Sequence, residues 1–313
     1  MTTTEAETQT AAHDSAEPAT VLVTGGTGFV GPTIVHRLRA EDRPVRCLVR
    51  QPERAHALAA WGCELVQGDV TDAASVRRAA EGCEVVVHLV AILQGKREDF
   101  DRIMVQGTRS MVEAAKAAGV RRFILMSALG TSEETKDLTP YFASKWRMEQ
   151  AVKDSALEYV IFRPSFIFGP GGGALKTFGR VVRLSPVIPV FGAGDHRIQP
   201  IWIDDVAEYY AAAIDLPEAA NRTFELGGPD IVTYEELYDR IKRTLGKRRG
   251  KVHVPFRVMR VNASILEALP GPSPITRDQL KMIAVENVVS NDDALQTFQV
   301  GLVPLDEQLR RAL

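Results

Sequence analysis

Short apolar runs alternate with amphipathic stretches through the first half of the chain. Val21-Leu22-Val23 open the pattern, and comparable runs recur at 45–49, 63–67, 84–89, 122–127 and 158–163. Apolar runs of this length fit strands buried on both faces of a sheet. Between them Ile34, Val35 and Leu38 recur at helical spacing, and similar patterns occupy 29–41, 52–60, 72–81, 98–118 and 140–155. Strands alternating with helices predict a parallel sheet covered on both sides, joined by right-handed crossovers. The expected fold is α/β, a doubly wound parallel sheet with its ligand at the carboxyl ends of the strands.

Beyond residue 164 the texture changes. Pro164, Pro170, Gly171–Gly173, Pro186, Pro189 and Pro200 break the alternation. Helical patterns return at 174–184, 204–215 and 233–245, and a Pro/Gly stretch at 270–274 precedes short helices running to Leu313. The chain thus divides into a disordered tail (1–19), a nucleotide-binding domain (20–165) and a smaller C-terminal α/β lobe (166–313) over the mouth of the sheet. Returning segments from the lobe complete the sheet.

Composition narrows the class. Hydrophobic residues at 45% and charged residues at 25% are those of a soluble globular protein. Lys+Arg 38 against Asp+Glu 40 leaves a net charge of -2, so no global field favours nucleic acid. The tail lacks an apolar core and a basic leader, and no apolar run approaches the roughly 18 residues that span a bilayer. Cys47, Cys63 and Cys83 cannot all pair with one another, and they read as reduced thiols of a cytoplasmic protein. The histidines are scattered without metal-ligand spacing, and His88 in an apolar strand reads as a satisfied core residue.

The chemistry begins at the first strand exit, Thr24-Gly25-Gly26-Thr27-Gly28-Phe29-Val30-Gly31. Gly25, Gly28 and Gly31 supply a tight turn, close approach of backbone to a pyrophosphate, and close packing of helix on strand. The following helix offers free N–H groups and a positive dipole end to phosphate. At the second strand exit, where an acid would select a free ribose 2′-hydroxyl, the sequence has Arg50, with Arg54 nearby. A guanidinium clamps a 2′-phosphate that a carboxylate would repel, so NADP(H) is favoured over NAD(H). Asp69-Val70 ends the third strand beside the expected adenine, although Asp69 or Asp72 serves equally as a helix cap. Leu89, Val90 and Ala91 end the fourth strand, where small apolar residues admit the cofactor. Tyr141 and Lys145, four apart on one predicted helix face, form a proton-transfer pair: a neighbouring lysine lowers the tyrosine pKa and reaches the nicotinamide ribose.

Together with Arg163-Pro164-Ser165-Phe166-Ile167-Phe168-Gly169-Pro170-Gly171 and Ile203-Asp204-Asp205-Val206-Ala207, these residues resemble the extended and atypical branches of the short-chain dehydrogenase/reductase superfamily. The resemblance covers about residues 20–312. Met126-Ser127-Ala128-Leu129-Gly130, Glu225-Leu226-Gly227-Gly228-Pro229, Leu269-Pro270-Gly271-Pro272 and Thr276–Leu280 narrow it. They are similar to bacterial relatives of the Rossmann-fold accessory subunit of respiratory complex I. The resemblance implies a Rossmann sheet, Pro164 and Ser165 at the cofactor, and Tyr141, Lys145 and Ser127 as the catalytic set. It also implies that the cofactor is either turned over or held structurally. Ala128 stands where extended members carry the catalytic Ser or Thr, leaving Ser127 in shifted register or Thr131 to substitute.

Two functional readings follow. One is an NADP(H)-dependent oxidoreductase or epimerase acting on a small molecule. The other is a non-catalytic NADPH-holding module in respiratory-complex or quinone-related assembly. Asp204-Asp205 reads as a helix N-cap, and Arg197 lies one residue from where epimerases contact a nucleotide-sugar diphosphate. Lys242, Arg243, Lys247, Arg248, Arg249 and Lys251 form a basic cluster before the amphipathic Phe256, Met259, Ile265, Leu266 and Leu269. That segment reads as a solvated helix end beside a lobe-packing helix, or as a peripheral contact with the membrane or a partner.

Overall fold

The computed structural model describes residues 20–268 and 276–313. The expected tail (1–19) and the Pro/Gly stretch at 270–274 lie outside the described residues. Six parallel strands alternate with helices: β1 (Val21–Thr24), β2 (Val45–Val49), β3 (Glu64–Gln67), β4 (Val85–His88), β5 (Arg122–Met126) and β6 (Glu158–Pro164). A seventh strand, Arg222–Leu226, returns from the C-terminal half and pairs in parallel with β6. The sheet order is Arg222–Leu226, β6, β5, β4, β1, β2, β3. The order reverses between β1 and β4, which opens the crevice where α/β proteins of this type bind ligands. β1 is fully buried along its length, as a strand covered on both faces requires.

The covering helices are α1 (Gly31–Arg39), α2 (His56–Ala60), α3 (Ala73–Ala80), α4 (Arg97–Asp99), α5 (Gly107–Ala117) and α6 (Pro140–Lys153). One side of the sheet packs Val21, Val23 and Ile124 against Ile34, Val35 and Leu38 of α1 and Tyr209 and Tyr210 of helix Ile203–Ala212. The other packs Leu22, Val86 and Phe123 against Val76, Met111 and Met148 of α3, α5 and α6.

Four local features differ from the sequence expectation. The helix predicted at 52–60 divides into a 3-10 turn, Pro52–Arg54, and α2. The pattern at 98–118 contains a π-helical segment, Phe100–Gln106, between α4 and α5, a widening that apolar periodicity does not encode. Within the basic cluster, Gly250–Val254 is a strand, not a helix end, paired in parallel with Val187–Phe191. Asp204 and Asp205 occupy the first turn of their helix but do not cap it. Asp204 accepts a bond from the Trp202 indole (2.8 Å), and buried Asp205 accepts the backbone N–H of Val303 (2.9 Å). Asp72, by contrast, caps α3 through the amides of Ala74 and Ser75.

Candidate functional site

The chemical residues gather along the carboxyl edge of the sheet because each follows a strand. At the β1 exit, the Gly28 amide donates to the Gly25 carbonyl (2.9 Å), closing the turn. Gly25 adopts φ +80°, and a Cβ there would stand 3.1 Å from the Leu89 backbone carbon. A Cβ at Gly31 would lie 2.3 Å from the Gly25 oxygen, so this glycine seats α1 against the turn. Gly28 is exposed, and a Cβ there would press on the Gly25 oxygen at 3.1 Å. Thr27 is also exposed, and the first turn of α1 carries no acid. An open glycine cradle at an uncapped helix N-terminus fits a pyrophosphate. The Phe29 ring lies over Gly172 and Gly173, where a Cβ would come within 2.1 and 2.8 Å of ring carbons. Val30 and Gly31 are buried.

The neighbouring stations vary in how freely they face the crevice. Arg50, just past β2, is exposed, and no carboxylate pairs with it among the described residues. Asp69 accepts both the amide and the hydroxyl of Thr71 (2.9 and 2.8 Å), forming a local turn. Val70 is buried against Gly107. Leu89 is buried, Val90 half-buried and Ala91 exposed. Pro164 ends β6 and Ser165 follows it, both buried, and the Ser165 hydroxyl donates to the Gln199 carbonyl (2.5 Å).

Tyr141 and Lys145 lie on one face of α6, whose N-terminus is capped by the Thr139 hydroxyl. The Lys145 nitrogen is 5.8 Å from the centre of the Tyr141 ring. Lys145 is almost wholly buried and donates to the Met126 carbonyl at the end of β5 (2.5 Å). Burial depresses its pKa to about 7, although the Glu149 carboxylate one turn further on partly restores the charged form. Burial also raises the pKa of the half-buried Tyr141 phenol. This corrects the expected order of effects: desolvation, not the lysine, dominates the tyrosine, which stays protonated at neutral pH. Nearby His88 is fully buried between Thr24 (2.7 Å) and Thr108 (3.0 Å). Burial, with a smaller contribution from Lys145, lowers its pKa to about 3 and keeps it neutral.

Ser127 follows Met126, the residue whose carbonyl receives Lys145. Its hydroxyl points into the core and donates to Glu149 (2.5 Å), which is fully buried. Arg163 grips the same carboxylate through two nitrogens (2.8 and 2.7 Å), and Lys153 approaches at 3.4 Å. A buried carboxylate needs such partners, and the bidentate guanidinium supplies the strongest of them. Thr131 is buried behind Ser127, while Ala128 is half-buried. Sequence reasoning missed Glu149; the legible signal was its place four residues beyond Lys145 on the same helix face. Arg197 lies on the surface in an ion pair with Glu286 (2.6 Å).

Comparison with known proteins agrees with this fold. The NAD(P)H-binding family matches residues 25–182, about half of the chain. A ceramide reductase of Caulobacter vibrioides is 34% identical over 236 residues, covering 75% of this chain and 73% of that protein. The mitochondrial NADH dehydrogenase (ubiquinone) 1 alpha subcomplex subunit 9 of Rattus norvegicus is 28% identical over 96% of this chain and 82% of its own. An NADPH-dependent quinone oxidoreductase of Escherichia coli, solved with NADPH, superposes with a TM-score of 0.75 at 21% identity, covering 92% and 98% of the two chains. With its glycine turn and seven-stranded parallel sheet, the chain belongs to the NAD(P)H-binding family.

Proposed function

We propose that this protein is an NADPH-dependent reductase of a carbonyl or quinone substrate. The carrying observation is the Tyr141/Lys145 pair at the carboxyl edge, with Lys145 buried and poised near pH 7. Bound NADPH would supply the hydride. The Tyr141 phenol, protonated at neutral pH, donates the proton that the carbonyl oxygen requires as its carbon accepts that hydride. Lys145, anchored on the Met126 carbonyl, would hold the ribose hydroxyls and stabilise the phenolate left behind. Arg50 supports the 2′-phosphate form of the cofactor because it is exposed and unpaired at the β2 exit. The relatives named as a ceramide reductase and a quinone oxidoreductase support the reductive direction. Arg197, which had suggested a nucleotide-sugar substrate, is paired with Glu286 on the surface.

The test follows NADPH oxidation by absorbance against a panel of ketones and quinones. Tyr141→Phe should keep NADPH affinity while lowering turnover by about 10²- to 10⁴-fold. Equal turnover in the variant would refute the reading.

A second reading, in which NADPH is held structurally, is favoured by one observation. Ala128 offers no hydroxyl, and Ser127 is committed to Glu149. Ala128→Ser separates the two readings: a gain in rate points to a reductase weakened at one position. An unchanged, negligible rate with tight NADPH binding supports the structural reading, which the relative named as an NADH dehydrogenase subunit also favours.

A further inference from the structure

Residues 240–266 contain nine Lys and Arg and no Asp or Glu, in a chain whose net charge is -2. Some of these cations have partners: Arg240 pairs with Asp230 and Asp306, Lys242 with Asp239, and Lys251 with Glu235 and Asp239. Arg243, Lys247, Arg248, Arg257 and Arg260 are exposed and have no carboxylate partner among the described residues. Five free cations on one segment stand out on a surface otherwise rich in ion pairs.

Apolar side chains surround them. Of the seven large hydrophobic residues exposed among the described residues, five are Leu184, Val187, Val252, Val258 and Val261. The fold brings them together. Arg249 donates to the carbonyl of Arg183, next to Leu184 (3.4 Å). Strand Gly250–Val254 pairs with Val187–Phe191 so that Gly250 faces Val187 and Val252 faces Pro189. Ile188 and Val190 are fully buried, so Val187, Pro189 and Val252 point outward. The helix Phe256–Ala268 follows directly. Its inner face packs Phe256, Met259 and Ala263 with Phe191 and Leu280, leaving Arg257, Val258, Arg260 and Val261 outside.

We propose that this face docks on an anionic lipid bilayer. Aliphatic side chains interleaved with arginine on a surface helix match a monolayer interface, where valines enter the acyl boundary and guanidinium groups meet phosphates. The outward side chains are aliphatic, whereas protein-binding surfaces are enriched in aromatic anchors. The inference is independent of turnover at the Tyr141 site.

The full chain is sedimented with phosphatidylcholine vesicles and with vesicles containing phosphatidylglycerol, at low and high salt. The expected result is binding only to the anionic vesicles, released by salt. Arg257→Ala/Arg260→Ala should weaken binding about 30-fold, taking roughly fivefold per charge near an anionic surface. Val258→Asp/Val261→Asp should abolish it, with NADPH affinity unchanged in both variants. Should the helix variants fail to fold, Lys247→Ala/Arg248→Ala in the preceding turn should weaken binding by a similar factor. Folded variants that bind as wild type would overturn the proposal. So would equal binding to neutral vesicles, or binding to polyglutamate without binding to vesicles, which would assign the face to an acidic protein.

Discussion

Lys145 is placed where the fold alone would not choose a lysine, and removing it should stabilise the protein. Burial lowers its pKa from the ordinary 10.5 to about 7. The unfolded chain therefore binds a proton between pH 7 and 10.5 that the folded chain does not, and stability rises with pH across that window. At 1.36 kcal/mol per unit, the cost of the buried lysine at pH 7 is on the order of 4 kcal/mol. Lys145→Met keeps the apolar stem but leaves the Met126 carbonyl without its donor, a loss of about 1–3 kcal/mol. The net expectation is about 1–3 kcal/mol of stabilisation at pH 7 without cofactor. From pH 7 to pH 9 the wild type should gain about 2 kcal/mol on the variant. Cys63, whose pKa is lowered by a hydrogen bond with the Cys47 thiol, is present in both proteins and cancels in the difference. Denaturant unfolding at pH 7, 8 and 9 measures the effect. With NADPH added, the order should invert, because the wild type gains ligand stabilisation that the variant has lost. A variant less stable at pH 7 without cofactor, with a difference that does not change with pH, would refute the burial argument.

Arg50→Ala should weaken NADPH about 10- to 150-fold, as expected for a charge-assisted contact of about 1.5–3 kcal/mol, and leave NADH nearly unchanged. Paired titrations check this, and equal loss of both cofactors would contradict it. Gly28→Val should erase the NADPH-induced rise in melting temperature while leaving the melting temperature without ligand within a degree or two, since its Cβ would meet only the Gly25 oxygen. Gly31→Ala should instead destabilise the free protein, because its Cβ would sit 2.3 Å from that same oxygen.

The parts legible in the sequence are those with local causes. β1 and β4 are buried along their length, so Val21–Val23 and Val85–Val87 appear as unbroken apolar runs. The glycine turn and the Tyr141/Lys145 spacing are likewise written within a few residues. Other parts depend on contacts across the chain. Strand Val187–Phe191 contains Pro189, which argues against a strand until its edge position is known. Strand Gly250–Val254 lies inside a run of cations that reads as solvated. The partner of Ser127 is 22 residues away, so no local pattern announces it.

That last contact links fold to chemistry. Arg163 leaves β6 partly buried and needs a carboxylate; Glu149 supplies it from α6. The carboxylate then draws in the Ser127 hydroxyl, and Ser127 is fixed at the β5 exit by its amide bond to the Phe162 carbonyl (2.7 Å). The preceding carbonyl, of Met126, is the acceptor for Lys145. The same strand exit thus carries the Ser127 hydroxyl, bound to Glu149, and the Met126 carbonyl that receives the lysine. In the proposed reaction, proton donation would fall to Tyr141, where burial favours the protonated phenol.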